Sequence, residues 1–377
     1  MKTILLVTLQ AANIGNRLQN YALQTVLEKR GYEVINPYYS KNGAVYKTVK
    51  KIKSIIKLLL FHMGIKKYYI KEKNFKKAER INEALNKDRN NRFKKFDDTY
   101  IHNMTEIYFY STVKLKSKKY DLAITGSDQV WHNWTGTERE LRYFYLMFTE
   151  KAKRASYAPS FGFPEFPEKD KAIHQKGLSE MKYLSCRESE GSRLIRELTG
   201  RDAPVLPDPT MLLSRNEWKR INRKPCYDIP EKFMLIYFLG DTGEYEKTIS
   251  HISGERGCVT VNIYDPKDMP RFCTDPCEFL WLTENADCIC TDSFHACVFS
   301  IIFEKPFMAF PRRGKNGMDK MFDRIKNLLC IYGLENHIRR NENSPMLPIT
   351  KEDNIPEKLA ANAKKGLDYI DDILSDI

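Results

Sequence analysis

The sequence predicts an α/β protein built as two Rossmann-like domains facing a cleft, and three observations lead there. Apolar runs of strand length alternate with helical stretches from Thr3 to Phe310, the pattern of parallel sheets with crossover helices. That alternation breaks at a polar segment, Arg215–Lys232, which carries Pro225 and Pro230, and then starts again. The chain has 377 residues, 42% of them hydrophobic, enough for two domains of ordinary size.

The elements follow in order. Thr3–Leu9 reads as a buried strand, Gln10–Asn16 as a polar loop, Arg17–Arg30 as a helix ending at Gly31, and Tyr32–Ile35 as a second strand. This is a βαβ opening. Basic helices interrupt the pattern at about residues 40–98. Strands resume at Leu122–Thr125, Arg154–Ala158, Tyr183–Cys186 and Val205–Leu206. After the linker come strand Phe233–Leu239, helix Glu244–Ser253, strand Cys258–Tyr264 and helix Pro276–Asn285. Strand Asp287–Cys290, helix Ser293–Phe303 and strand Phe307–Phe310 complete the second series. The expected domains are 1–220, with the insertion, and 230–345, and the tail Pro356–Leu374 reads as an amphipathic helix within 350–377.

Composition narrows the class. Mean hydropathy is −0.53, and no apolar run approaches the ~20 residues of a membrane-spanning helix. The apolar N-terminus reads as a first strand rather than a signal peptide, because Asn13-Ile-Gly-Asn-Arg17 stands where a small-residue cleavage site belongs. Nine cysteines imply no disulfide framework and fit a reducing cytoplasm. Cys273, Cys277, Cys288, Cys290 and Cys297 are crowded enough to raise the question of zinc, but paired CxxC spacing is missing. They read as small core hydrophobes, and no metal site is expected. The formal net charge of +13 is concentrated between Lys41 and Lys95, where eighteen Lys/Arg face four acids. An anionic partner is therefore sought there.

Ligands of parallel sheets bind where strands end, so the loops after strands carry the functional reading. In Asn13-Ile-Gly-Asn-Arg17, Gly15 permits close approach and the following helix offers free N–H groups to an anion, beside Asn16 and Arg17. It is neither GxGxxG nor a Walker loop. In Thr125-Gly-Ser-Asp-Gln-Val-Trp131, Gly126 gives a tight turn and Ser127 or Asp128 a cap. Asp128 and Gln129 suit sugar hydroxyls, and Trp131 suits a sugar's apolar face. The third loop, Ala158-Pro-Ser-Phe-Gly162, places Ser160 after a strand. Arg187, in Ser185-Cys-Arg-Glu-Ser-Glu190, can hold a carboxylate or phosphate by two parallel bonds, or else pair with Glu188 or Asp208. In Cys290-Thr-Asp-Ser-Phe-His-Ala-Cys297, Asp292 or Ser293 caps a helix whose first turn holds His295. A helix N-terminus disfavours the imidazolium, which suits a general base. No Ser-His-Asp order, HExxH or paired-carboxylate motif is present, so a hydrolase or metalloenzyme gains no support.

In this order and spacing the loops resemble the polysaccharide pyruvyl transferase family, over about residues 4–330. The resemblance rests on Asn13-Ile-Gly-Asn16, Gly126-Ser-Asp-Gln-Val-Trp131, Ser160-Phe-Gly162, Cys186-Arg-Glu188, Leu206-Pro-Asp-Pro-Thr210 and Ser293-Phe-His-Ala296. It implies a two-domain fold like the GT-B glycosyltransferases and phosphoenolpyruvate as donor co-substrate, with no further cofactor. The implied product is a pyruvate ketal on a surface sugar, with a galactose-type acceptor, free or on a lipid diphosphate. The 1–220 domain would be the acceptor side and 230–345 the donor side. Two positions depart from the family: Asn16-Arg17 replaces an acidic residue, and Ser293-Phe294-His295 replaces Arg-Leu-His. Arg17, Arg187, Arg312 and Arg313 are the candidates to supply the missing cation.

On this reading His295 and Arg187 are catalytic, His295 moving protons and Arg187 binding the donor. Asp128 and Gln129 orient the acceptor. The basic segment supplies an amphipathic helix, with Ile52, Ile55, Ile56, Leu59, Leu60 and Met63 on one face and Lys50, Lys53 and Lys57 on another. Such a helix suits the anionic inner face of the plasma membrane, or packs on the N-terminal domain with a solvated lysine face. No nucleic-acid motif accompanies the charge. The competing functions are a nucleotide-sugar glycosyltransferase of the same fold and a non-catalytic sugar- or lipid-binding protein.

Overall fold

The computed structural model describes residues 1–9, 13–39, 86–107, 110–313 and 322–377. The amphipathic stretch around Ile52–Met63 lies outside the described residues.

The first sheet contains β1 (Thr3–Val7), β2 (Glu33–Tyr39), β3 (Met104–Ile107), β4 (Leu122–Thr125) and β5 (Arg154–Ser156). Its order is β3-β2-β1-β4-β5, and every pairing is parallel. The second sheet holds β6 (Phe233–Tyr237), β7 (Val259–Asn262), β8 (Cys288–Thr291) and β9 (Phe307–Ala309), in the order β7-β6-β8-β9 and again all parallel. Ile4–Val7 of β1 and all of β4, β6 and β8 are buried, as strands covered by helices on both faces must be. The strand order reverses between β1 and β4 in one sheet and between β6 and β8 in the other. A crevice opens beyond the carboxyl ends of each pair. Two parallel α/β domains, each with one switch point, are thus present, as the sequence predicts.

Local departures from the sequence reading have physical causes. Helix α1 (Ile14–Glu28) starts three residues earlier than predicted, because the Asn13 side chain accepts the Gly15 N–H at 2.8 Å and caps it. Tyr183–Cys186 and Val205–Leu206 make only isolated bridges, to Ala155 and to one another. Pro204 and Pro207 flank the latter pair and remove ladder donors. The predicted linker is anchored rather than loose. It folds a short helix, Arg215–Lys219, with a Ser214/Glu217 capping box, and buries Trp218 between Tyr21 and Phe299 of the two domains.

Two helices tie the halves together. Helix α2 (86–100) continues the basic insertion, yet it turns two of its cations inward. Arg89 is buried between Phe93, Tyr264 and Phe272, and Arg92 makes two 2.7 Å bonds to Glu278 of the second domain. The last helix, Ile355–Ser375, begins against the second domain, where Lys358 reaches the Tyr332 carbonyl at 2.6 Å. It ends on the first, where Tyr369 donates to the Ser156 carbonyl at 3.0 Å and Asp371 pairs with Arg30. No helix among the described residues is long and apolar enough to cross a membrane.

Candidate functional site

The crevices of the two domains face one another, and their loops meet at His295. Helix α8 (Phe294–Ile302; α3 to α7 being Glu138–Phe144, Glu168–Ser179, Ser189–Thr199, Glu246–Arg256 and Pro276–Asn285) starts directly after β8 and puts His295 in its first turn. The imidazole packs against Gly15 of α1 in the other domain, and a Cβ at Gly15 would clash with its Nδ1, Cγ and Cε1. Gly15 therefore admits a side chain of this chain, where the sequence reading reserved the space for a ligand. His295 Nε2 is buried without a hydrogen bond and lies 3.6 Å from Asp208 Oδ2.

Asp208, expected only as a possible ion-pair partner of Arg187, is the organising residue of the site. Its Oδ1 accepts the Thr210 N–H and hydroxyl at 3.0 and 2.8 Å, and its Oδ2 accepts Arg187 at 2.8 Å. Burial pushes the Asp208 carboxyl up, but His295, Arg187 and the Thr210 N–H outweigh it and hold the carboxyl below its ordinary range. Asp128 behaves alike. Burial raises its carboxyl, and the charges of Arg187, His295 and Arg324 lower it further than burial raises it. Asp128 accepts from the Asn16 side chain and from its own neighbour's N–H, Gln129, at 2.9 Å.

Arg187 stands at the centre of these acids. It donates to Glu188 at 3.1 Å, Asp208 at 2.8 Å and Asp128 at 3.4 Å, and its guanidinium stacks 4.4 Å from the centre of the Phe294 ring. Burial opposes its charge, and the three carboxylates more than offset that and raise its pKa. The structure thus shows the ion-paired alternative for Arg187, joined to three acids at once.

Other expected site residues fall into three groups. Gly15, Asn16, Ser127, Asp128, Arg187 and His295 come together with Asp208. Ser127 is held through Ala158 and Gln19, at 2.6 and 2.9 Å. Asn13, Gly126, Gln129 and Ser160 shape the loops around them. A Cβ on Gly126 would strike the Tyr157 carbonyl, Gln129 packs its amide against Gly162, and the Ser160 hydroxyl is buried without a partner. Three residues are engaged elsewhere. Trp131 is wholly buried, stacked on Tyr145 at 5.3 Å, so it cannot present a face to a sugar; Trp134, half-exposed, is the aromatic that the loop does present. Arg17 pairs with Asp97 at 2.6 Å. Arg312 donates to the Asp292 side chain and carbonyl at 3.2 and 2.9 Å.

The α8 cap also differs from expectation. Asp292 turns away from the helix and accepts the N–H groups of Leu239 and Gly240 at 2.7 and 2.8 Å, joining the two loops at the second switch point. Ser293 occupies the cap position, but its side chain makes no capping bond, which leaves the first-turn N–H groups of α8 without a side-chain acceptor. Opposite stands Arg324, in the first turn of α9 (Asp323–Tyr332), which no sequence pattern marked. It lines a cleft with Ser160, Gly162 and Glu188.

Ligand-type side chains group elsewhere as well. Cys258, Asp287 and Cys288 lie together, the largest such group among the described residues. They stand at the amino ends of β7 and β8, away from the crevice, and Asp287 is engaged by Arg256 at 2.9 Å.

A site made by the facing loops of two domains, with its motifs spread over both, invites comparison along the whole chain. A model of polysaccharide pyruvyl transferases matches residues 13–313. The chain belongs to that family. It is thus a transferase of polysaccharide biosynthesis, and the match spans both domains and reaches every loop described above, stopping short of Arg324. A search of curated sequences returns no match. Among solved structures, the chain is similar to the UDP-GlcNAc 2-epimerase from Neisseria meningitidis, at 12% identity and TM-score 0.43, over 96% of this chain and 100% of that one. The epimerase from Methanocaldococcus jannaschii gives 11% identity and TM-score 0.44, with the same coverage. The E. coli ADP-heptose LPS heptosyltransferase II gives 11% and 0.35, over 97% of this chain and 99% of the other.

Proposed function

We propose that this family member transfers pyruvate from phosphoenolpyruvate to two hydroxyls of a sugar, forming a cyclic ketal and releasing phosphate. The acceptor is a galactose-type residue of a surface polysaccharide or of its lipid-diphosphate-linked precursor. The observation that carries the reading is His295: buried at a helix N-terminus, without a hydrogen bond at Nε2, and facing a carboxylate where both domains meet.

The chemistry asks for few groups. The donor's methylene carbon takes a proton, which makes the adjacent carbon electrophilic. One sugar hydroxyl adds to that carbon, the bond to the phosphate oxygen breaks, and the second hydroxyl closes the ring. The two hydroxyl protons end on the new methyl group and on phosphate. His295 relays a proton between hydroxyl and donor, and Asp208 orients the ring. The α8 N-terminus receives the donor's negative charge. Arg187, saturated by acids, holds Asp128 and Asp208 in place. Gln129 and the half-exposed Trp134 offer the acceptor a polar group and an apolar face on the first domain.

A lipid-linked acceptor would be met at the inner face of the membrane, in the cytoplasm. Segment 41–95 is the part of the chain suited to that surface. Arg89 and Arg92 are spent on the second domain, which leaves Lys87, Lys94 and Lys95 exposed on the described portion.

The test is phosphate release from phosphoenolpyruvate by purified protein, with free and lipid-linked galactosides, against His295→Ala. Acceptor-dependent release that the substitution abolishes is the expected result. Release of a nucleotide from a sugar nucleotide instead would establish the glycosyltransferase reading.

A further inference from the structure

Arg187 and Arg324 flank the same Phe294 ring, 4.4 and 5.9 Å from its centre, but their charges are met differently. Arg187 has three carboxylate partners. Among the described residues Arg324 has one, Asp128 at 3.7 Å, and its buried Nε makes no hydrogen bond. Its side chain is only 11% exposed. A guanidinium taken this far out of water and left partly unpaired is costly unless an anion completes it. Burial, then repulsion from Arg187, lowers its pKa to about 10 despite the attraction of Asp128 and Glu188, the direction expected of a charge whose counterion is missing.

Its position names the counterion's class. Phe294 is the first residue of α8, so Arg324 stands beside the helix end whose cap residue makes no side-chain bond. Across the cleft lies Ser160, whose hydroxyl is buried and unpartnered. A planar cation and a hydroxyl on one cleft, with a helix N-terminus beside the cation, suit a small anion with several oxygens.

We propose that Arg324 binds phosphoenolpyruvate through its anionic oxygens and is the donor-binding cation of this chain, a role the sequence reading gave to Arg187. This rests on the pyruvyl-transfer reading above. It goes beyond the family match, which ends before this residue.

The experiment compares wild type with Arg324→Met, which keeps length and loses charge, and Arg324→Lys, which keeps charge and loses the fork. The KM for phosphoenolpyruvate is expected to rise at least about tenfold in Arg324→Met and less in Arg324→Lys, as loss of a charge-assisted bond predicts. The KM for the sugar is expected to stay within about twofold, a split that a general structural defect would not give. Should Arg324→Met fail to fold, the same KM in Arg324→Lys decides. Active wild type with an unchanged KM for phosphoenolpyruvate in the variants overturns the role of Arg324 alone. Wild type that neither releases phosphate from phosphoenolpyruvate nor binds it by calorimetry overturns the reading on which the proposal rests, and the proposal with it.

Discussion

At Gly15 the two domains meet with no room for a methyl group, because the His295 ring fills the space a side chain would need. Gly15→Ala must therefore displace the imidazole or part the domains. A shift of about 1 Å at a catalytic group can cost about 100-fold in rate. The expected outcome is a loss of that order in phosphate release with the fold retained, checked by kinetics beside circular dichroism. Near-normal rates would show that the ring is not held by this contact. The same residues show what single positions reveal in sequence. His295 was legible, because Thr-Asp-Ser after an apolar run announces a strand end and a helix start. Its partner Asp208 was visible as a member of Leu206-Pro-Asp-Pro-Thr210 and as a possible partner of Arg187, but not as the carboxylate facing His295, a residue 87 positions away. Trp131 was misread because alternation cannot tell an aromatic lying beneath a loop from one lying on it. Arg324 carries no local signal, and only the fold brings it beside Phe294.

Elements were legible in proportion to their burial. The inner strands β1, β4, β6 and β8 are apolar runs and stood out, whereas β3, Met-Thr-Glu-Ile at the sheet edge, has no such run. Helix α2 divides its charge. Lys87, Lys94 and Lys95 are exposed, whereas Arg92 is committed to Glu278, whose side chain is 3% exposed. Arg92→Ala would leave that buried carboxylate with Arg223, at 3.8 Å, as its nearest cation. A loss of about 1–3 kcal/mol in unfolding free energy is expected, the usual cost when a buried acceptor loses its closest donor. In the double substitution with Glu278→Gln the two costs should fall short of additive. Urea titration of the four proteins measures both, and strict additivity would mean that the pair does not couple the domains.

Over the whole molecule, acid stability should follow two kinds of group. Burial lowers the pKa of His174 from 6.5 to about 3, so the fold favours its neutral form. Between those values the unfolded chain binds the extra proton, and stability falls as pH drops below 6.5. Asp128 and Asp208 have folded pKa values below the ordinary 3.8. Their contribution is complete above that value and is lost only as pH falls through the lower folded values. His132 and His337, whose pKa values burial also lowers, act in the same direction, so His174→Gln should reduce, without abolishing, the slope of the stability curve between pH 6.5 and about 4. Unfolding titrations across that range test this, and a wild-type curve already flat there would contradict it. The two-domain plan itself was readable from the repeated alternation and the polar break. How the domains are fastened was not, because α2 and the last helix each join surfaces far apart in sequence.

That last helix has a bearing on how the protein comes into being. A chain leaves the ribosome amino end first, so the first sheet emerges early. Tyr157, at the end of β5, is closed over by Gly366 and Tyr369, and Ser156 receives its bond from the Tyr369 hydroxyl. The amino-terminal domain must therefore wait, part of its surface uncovered, while the second domain is synthesised, and it is finished only when residues 355–375 arrive.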